Sequence, residues 1–159
     1  MIRLMIKKIP AIILILLFLQ GCGYTPMYSK NQKVNFYIQS IEFNDNDKDL
    51  ASFIKSNLNN YFTKNTGTNF TINTLIKYEK TAVSKTAEAV VEEYNLKTSV
   101  SFQVKSKNID KMINVSETSN IKNFSDEFEE REYELMIKKS MARSITSRLL
   151  IQLASLNAN

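Results

Sequence analysis

Histidine and tryptophan are absent from this 159-residue chain, cysteine occurs once, proline twice and glycine three times. Each shortage excludes something. Without histidine the chain lacks the commonest general base near neutral pH and the commonest metal ligand. A single cysteine, Cys22, cannot form a disulfide within the chain, so the fold must rest on burial and hydrogen bonding. Both prolines, Pro10 and Pro26, lie near the N-terminus, and Gly67 is the only glycine after Gly23. Beyond residue 26 there are therefore few places where regular structure has to break.

What is present starts at the N-terminus. Arg3, Lys7 and Lys8 precede an apolar run from Ile9 to Leu19, followed by Leu19-Gln20-Gly21-Cys22. Cations, a short apolar segment and a small residue before the cut site form an export signal. The run is too short to span a bilayer, which takes about 20 apolar residues. Leu19, Gln20, Gly21 and Cys22 read as a lipobox, with cleavage after Gly21 and a lipid on the Cys22 sulfur. The expected organisation is a signal peptide over 1–21, a lipidated tether over 22–32 and a single domain over 33–159. Palmitate-type acylation of the Cys22 amino group would strengthen the anchor, since stable attachment needs more than one chain. The absence of aspartate after Cys22, where Gly23 stands, favours the periplasmic side of the outer membrane over the inner membrane.

Processing also changes the charge. Losing Arg3, Lys7 and Lys8 lowers the net charge from +5 to about +2. The high isoelectric point belongs largely to the signal, so no nucleic-acid partner is expected.

In the mature chain the hydrophobic period switches repeatedly between two and three to four. Val34, Phe36 and Ile38 alternate with Asn35, Tyr37 and Gln39, which predicts a first strand over 34–43. Asn44 to Asp47 supply a turn and a helix N-cap. Leu50, Phe53, Ile54, Leu58, Tyr61 and Phe62 form one stripe of a helix expected from about Asp47 to Lys64, stopped at Asn65-Thr66-Gly67 by a glycine free to take positive φ. A second strand over 70–85 places Phe70, Ile72, Ile76 and Tyr78 on one face, with Leu75 an exception among the polar residues of the other. A third places Tyr94, Leu96, Val100, Phe102 and Val104 on one face, with Thr98 between them. Lys107-Asn108 turns the chain into a polar fourth strand over 112–121. Ser125 is expected to cap a last helix, acidic at its start and basic later, as the macrodipole favours. Its buried stripe is Tyr133, Ile137, Met141, Ile145, Leu149, Leu153 and Leu156, with Glu134 and Lys138 an i, i+4 pair. One-sided helices and one-sided strands must bury their apolar faces against each other. The predicted fold is α+β, a two-layer sandwich in the order β-α-β-β-β-α. Two helices pack on one face of a four-stranded mixed sheet whose first two strands are joined by a parallel crossover.

A catalytic kit is hard to assemble from these residues. Ser84-Lys85 and Ser140 beside Lys139 are the available Ser–Lys pairs, and no glycine-rich turn accompanies either. Asp45, Asp47 and Asp49 have the alternation of a calcium loop without its glycine or distal glutamate, so helix capping explains them better. No enzyme activity, metal or cofactor is expected. Binding has one candidate: Lys77, Lys97 and Lys105 recur on the polar sheet face among hydroxyls and Gln103, with little acid beside them. Such a surface suits phosphorylated lipid headgroups or an anionic protein wall.

Cys22-Gly23-Tyr24-Thr25-Pro26-Met27-Tyr28 resembles the start of the lipopolysaccharide-assembly lipoprotein LptE family in its alphaproteobacterial form. Met27 stands where leucine is more usual. The element order and mature size are also similar to that family. The resemblance implies an outer-membrane lipoprotein that plugs the β-barrel translocon LptD, assists its assembly and takes part in lipopolysaccharide transport to the cell surface. It carries over one residue role, lipidation of Cys22. The alternative is a substrate-binding or accessory lipoprotein serving a transporter, which requires a concave pocket with convergent polar groups.

Overall fold

The computed structural model describes residues 35–45, 47–63 and 67–157. Leu19, Gln20, Gly21, Cys22 and the tether lie outside the described residues, as does Val34. Four strands and two helices follow in the expected order: β1 (Phe36–Asp45), α1 (Lys48–Leu58), β2 (Thr68–Lys85), β3 (Val91–Ser106), β4 (Ile109–Lys122) and α2 (Glu127–Asn157). The sheet order is β1-β2-β3-β4. β1 runs parallel to β2, and β2, β3 and β4 are successively antiparallel. This is the mixed sheet with helices on one face that the hydrophobic pattern predicts.

Alternation along the strands decides which face is buried. Phe70, Ile72, Ile76, Leu96, Val100, Phe102 and Val104 are all within 2% of full burial. They pack with Leu50, Ile54 and Leu58 of α1 and with Ala142, Ile145, Leu149 and Leu153 of α2. β1 keeps its apolar residues inward by a bulge. Ile38 pairs with Phe70 and Ser40 with Thr71, so Gln39 is left over. The extra residue moves the inward parity from Phe36 and Ile38 to Ile41 and Phe43, which pair with Ile72 and Thr74. Leu75 stays on the outer face, 59% exposed, while Thr74 takes the inward position.

Several boundaries differ from expectation for local reasons. α1 ends at Leu58 and tightens into a 3-10 turn over Asn59–Tyr61. The successive asparagines Asn59 and Asn60 are poor helix formers, and Tyr61 stacks on Phe36 at 5.8 Å. Asn44 and Asp45 continue β1, paired with Leu75 and Ile76, where a turn is expected from composition. The cap of α2 is Asp126, one residue after Ser125. Its Oδ1 accepts from the N–H groups of Phe128 (2.7 Å) and Glu129 (3.2 Å). Tyr133 is not part of the buried stripe: it is 37% exposed and lies against the Phe124 ring at 5.3 Å.

Gly67 is required for a reason other than the one predicted. None of the described glycines has positive φ. Instead a Cβ at Gly67 would lie 1.8 Å from the Asn35 carbonyl oxygen. That carbonyl accepts from the Thr68 N–H at 3.0 Å where β1 meets β2. A side chain there would force the first two strands apart. Positive φ occurs at Ala89, in the β2–β3 turn, where Thr86 bonds to Val90 and Ala89.

Candidate functional site

Two regions could carry function: the open outer face of the sheet, and a groove where α2 starts. On the outer face the register fixes the lysines. Lys77 pairs with Ser99, Lys97 with Glu79, and Lys105 with both Thr71 and Asp110. Lys77 and Lys97 are diagonal neighbours. Lys105 is six residues along β3 from Ser99, about 20 Å away. The structure thus brings two of the three lysines together and leaves the third near the opposite end of the sheet.

These lysines also have more acid beside them than the sequence suggests. Lys77 Nζ lies 2.8 Å from Glu79 Oε1, and Lys105 Nζ lies 3.9 Å from Asp110 Oδ2. Hydrogen bonding to Glu79, then its charge, raises the Lys77 pKa; Lys77 lowers that of Glu79 in return, with help from Lys97. Lys77 is exposed and Glu79 only partly covered, so the pair contributes little to stability. Across the rest of this face lie Asn73, Ser99, Ser101, Gln103, Asn114, Ser116 and Thr118, with Leu75 and Met112 each more than half exposed. The surface is rich in hydroxyls and amides and low in net charge.

At the end of the sheet that carries Lys77 and Lys97, but on its inner, helix-covered face, a charged network fastens both helices to β2. Lys80 Nζ donates to Glu130 Oε1 (2.5 Å) and Glu134 Oε2 (2.9 Å). The Tyr78 hydroxyl donates to Glu134 Oε1 at 2.7 Å. Lys138 Nζ donates to Asp47 Oδ2 at 2.7 Å, sits 3.4 Å from Glu134, and lies over the Tyr78 ring at 4.3 Å. The other oxygen of Asp47 caps α1, accepting from the Leu50 N–H at 3.0 Å. One aspartate therefore closes the α1 terminus and ties it to α2. Burial opposes the ionised Glu134, but hydrogen bonds from Lys80 and Tyr78 and the charges of Lys80 and Lys138 outweigh it, and the pKa falls. Burial is the leading cause raising the Tyr78 pKa, followed by its bond to Glu134. Burial likewise opposes the Lys80 charge, and its two glutamates outweigh that and raise the pKa.

Sequence reasoning anticipated the Glu134–Lys138 pair and the Asp47 cap, but not their union. The available signal was parity: Tyr78 and Lys80 continue the inward face of β2 beyond Ile76, which puts a lysine on the helix-covered side.

Beside this network is an open groove of about 830 Å³, lined by Asp49, Tyr94, Phe124, Glu127, Arg131 and Leu135 among others. It is large enough for a small ligand. Three of its polar lining groups, Glu130, Glu134 and Lys138, are already engaged with one another or with Lys80. Ser84 and Lys85 adjoin the irregular end of the β2–β3 hairpin. Among the described residues no helix is long and apolar enough to cross a membrane.

The architecture defined by this sheet and these helices is one found in small bacterial lipoproteins. Rare lipoprotein B from Shewanella oneidensis superposes with a TM-score of 0.54 at 21% identity, over 76% of this chain and 97% of that one. A minor lipoprotein from Acinetobacter baumannii gives 0.55 at 12% identity, over 77% and 92%. Lipoprotein B from Nitrosomonas europaea gives 0.53 at 14% identity, over 82% and 92%. No protein-family model and no curated protein matches the sequence. The likeness is one of fold.

Proposed function

We propose that this chain is a lipid-anchored outer-membrane lipoprotein of the LptE type, which plugs the β-barrel LptD, assists its assembly and takes part in lipopolysaccharide transport. The observation that carries the proposal is the shared fold. The domain superposes on nearly the whole of rare lipoprotein B, and it follows a lipobox-like Leu19-Gln20-Gly21-Cys22. Cys22 is the lipid attachment point and Leu19, Gln20 and Gly21 the cleavage motif. The role is structural and not enzymatic. A polar, nearly neutral outer sheet face suits the lumen of a membrane barrel, which is itself polar. The core, with both helices fastened to the sheet by Lys80 and Lys138, gives the rigidity a plug needs.

Lipopolysaccharide contact through Lys77, Lys97 and Lys105 belongs to the same proposal. Lys77 and Lys97 can act on one phosphate group, and Lys105 reaches a separate position. The groove at the α2 start favours a second reading, a ligand-binding accessory lipoprotein of a transporter, because it supplies the concavity such a protein needs.

Depletion of the chain in its native host tests the main reading. It should leave the barrel in an unfolded, non-heat-modifiable form and lower surface lipopolysaccharide. Full barrel assembly and normal surface lipopolysaccharide after depletion would refute it. Cys22→Ser should release the chain from the membrane and stop incorporation of labelled palmitate.

A further inference from the structure

The sheet has two edges, and they differ. Among the described residues no strand pairs with the outer side of β1 or of β4. β1 is interrupted by its bulge at Gln39. β4 pairs with β3 without a register shift from Ile109 to Lys122, and it contains neither proline nor glycine. Proteins blunt exposed edges with bulges, prolines and charges. In β4 the charges are Asp110 and Lys111 at one end, Lys122 at the other, and Glu117 between. The Glu117 carboxylate is turned under α2, accepting from Ser144 Oγ at 2.7 Å and lying 3.0 Å from Arg148. Among the described residues the central part of the edge is left open.

The turn fixes which backbone groups are free. Ser106 and Ile109 flank the two-residue turn Lys107-Asn108 and so exchange both ladder hydrogen bonds. Odd-numbered residues of β4 therefore bond to β3. Even-numbered residues from Asp110 to Lys122 direct their N–H and C=O groups to the free edge, and their side chains lie on the outer sheet face.

We propose that, in the chain not seated in a barrel, this edge pairs with β4 of a second copy, antiparallel and centred on Ser116, to make one continuous sheet, a state that excludes the plug arrangement while it lasts. In that register Ser116 meets Ser116, Asn114 meets Thr118, and Met112 meets Asn120. Asp110 meets Lys122 at both ends. On the outer face the opposite charges of Asp110 and Lys122 make the strand complementary to itself when reversed, while Lys111 has the inward parity. Parallel pairing would bring like charges together. A slip of two residues in either direction leaves Asp110 and Lys122 opposite uncharged residues or beyond the ladder. Asp110 is held only by long, exposed contacts, with Lys105 at 3.9 Å and with Gln103 Nε2, which donates to its Oδ1 at 3.3 Å, and both can give way to a closer cation. Inside the sheet Glu117 falls opposite Val115, its charge already matched by Arg148 of its own chain.

The test uses the full chain in mild detergent with Cys22→Ser throughout. Ser116→Cys should crosslink to itself rapidly under mild oxidation, because a doubly hydrogen-bonded antiparallel pair holds its Cα atoms about 5.5 Å apart, within disulfide range. Asn114→Cys and Thr118→Cys should each crosslink slowly alone and rapidly when mixed. In sedimentation, with every variant first shown to fold by circular dichroism, Asp110→Lys should weaken the dimer about tenfold, and adding Lys122→Asp should restore it. The proposal is overturned by a chain that stays monomeric at its highest soluble concentration. It is overturned equally if Ser116→Cys crosslinks no faster than Leu75→Cys, or if the double charge swap fails to restore the dimer.

Discussion

On its inner face the sheet carries Phe70, Ile72, Leu96, Val100 and Phe102, sealed beneath two helices. On the opposite side of the same backbone the outer face carries Asn73, Ser99, Ser101 and Gln103, each only partly buried. The same strands supply both, because successive side chains point to opposite sides. Stability is therefore concentrated on one face, and the other is free to be shaped by a partner. The few residues that break this division are informative. Thr74 is an inward hydroxyl without a hydrogen-bond partner among the described residues, and Leu75 and Met112 are exposed apolar residues among amides and hydroxyls.

Substitutions can probe the division from its strongest point to its weakest. Phe102→Ala on the inner face should cost about 3–5 kcal/mol, read by urea denaturation, because it removes a fully buried ring and leaves a cavity. Ser101→Ala, its neighbour on the outer face, should change stability by less than about 0.5 kcal/mol. Equal costs would show that both faces are covered in the isolated domain.

Lys138→Met comes next, at about 2 kcal/mol, since it strips Asp47 and Glu134 of a cation in a site where the Lys138 and Asp47 side chains are only 11% and 9% exposed. The network also gives stability a pH dependence. The Glu134 pKa is lowered in the folded state, so its contribution is present above the ordinary carboxyl value of 4.5 and is lost as pH falls through the lowered folded value. The Tyr78 and Lys80 pKa values are raised. Their contributions are present below the ordinary values of 10.0 and 10.5 and are lost as pH rises through the raised ones. Melting temperature against pH should thus fall at both extremes, and Glu134→Gln should flatten the acid limb while leaving a lower plateau. An unchanged acid limb would assign it to other carboxylates.

Thr74→Val should stabilise the domain by about 1 kcal/mol, because it replaces an unpartnered buried hydroxyl with a methyl group. Ala89→Gly should stabilise by a similar amount, about 1 kcal/mol, by relieving the positive φ in the exposed hairpin turn. The smallest stability effect belongs to the outer lysines. Replacing Lys77, Lys97 and Lys105 by Gln should shift stability by less than about 0.5 kcal/mol while weakening lipopolysaccharide binding in a fluorescence displacement assay. Unchanged binding would leave that face as a solvated surface.

Most of the architecture could be read from periodicity because the division between faces is so regular. β3 shows this best: Leu96, Val100, Phe102 and Val104 alternate with polar residues along one strand, and the register agrees throughout. What escaped the sequence was set by contacts between distant residues. The bulge at Gln39 answers to the packing of Ile41 and Phe43. The need for Gly67 comes from the Asn35 carbonyl, a neighbour in space and not in the chain. Lys80 and Asp47 look like surface residues when read alone. Their partners on α2 are fifty or more residues away. The lysine face was legible as a set of positions, but its acidic neighbours Glu79 and Asp110 became visible only through pairing.

Co-purification from the outer membrane tests the account most directly. A tagged chain extracted in mild detergent from native cells should carry with it, in equal amount, a large heat-modifiable β-barrel identifiable as LptD, and the association should resist high salt. Recovery of the chain from the outer membrane without any such barrel would contradict the central claim.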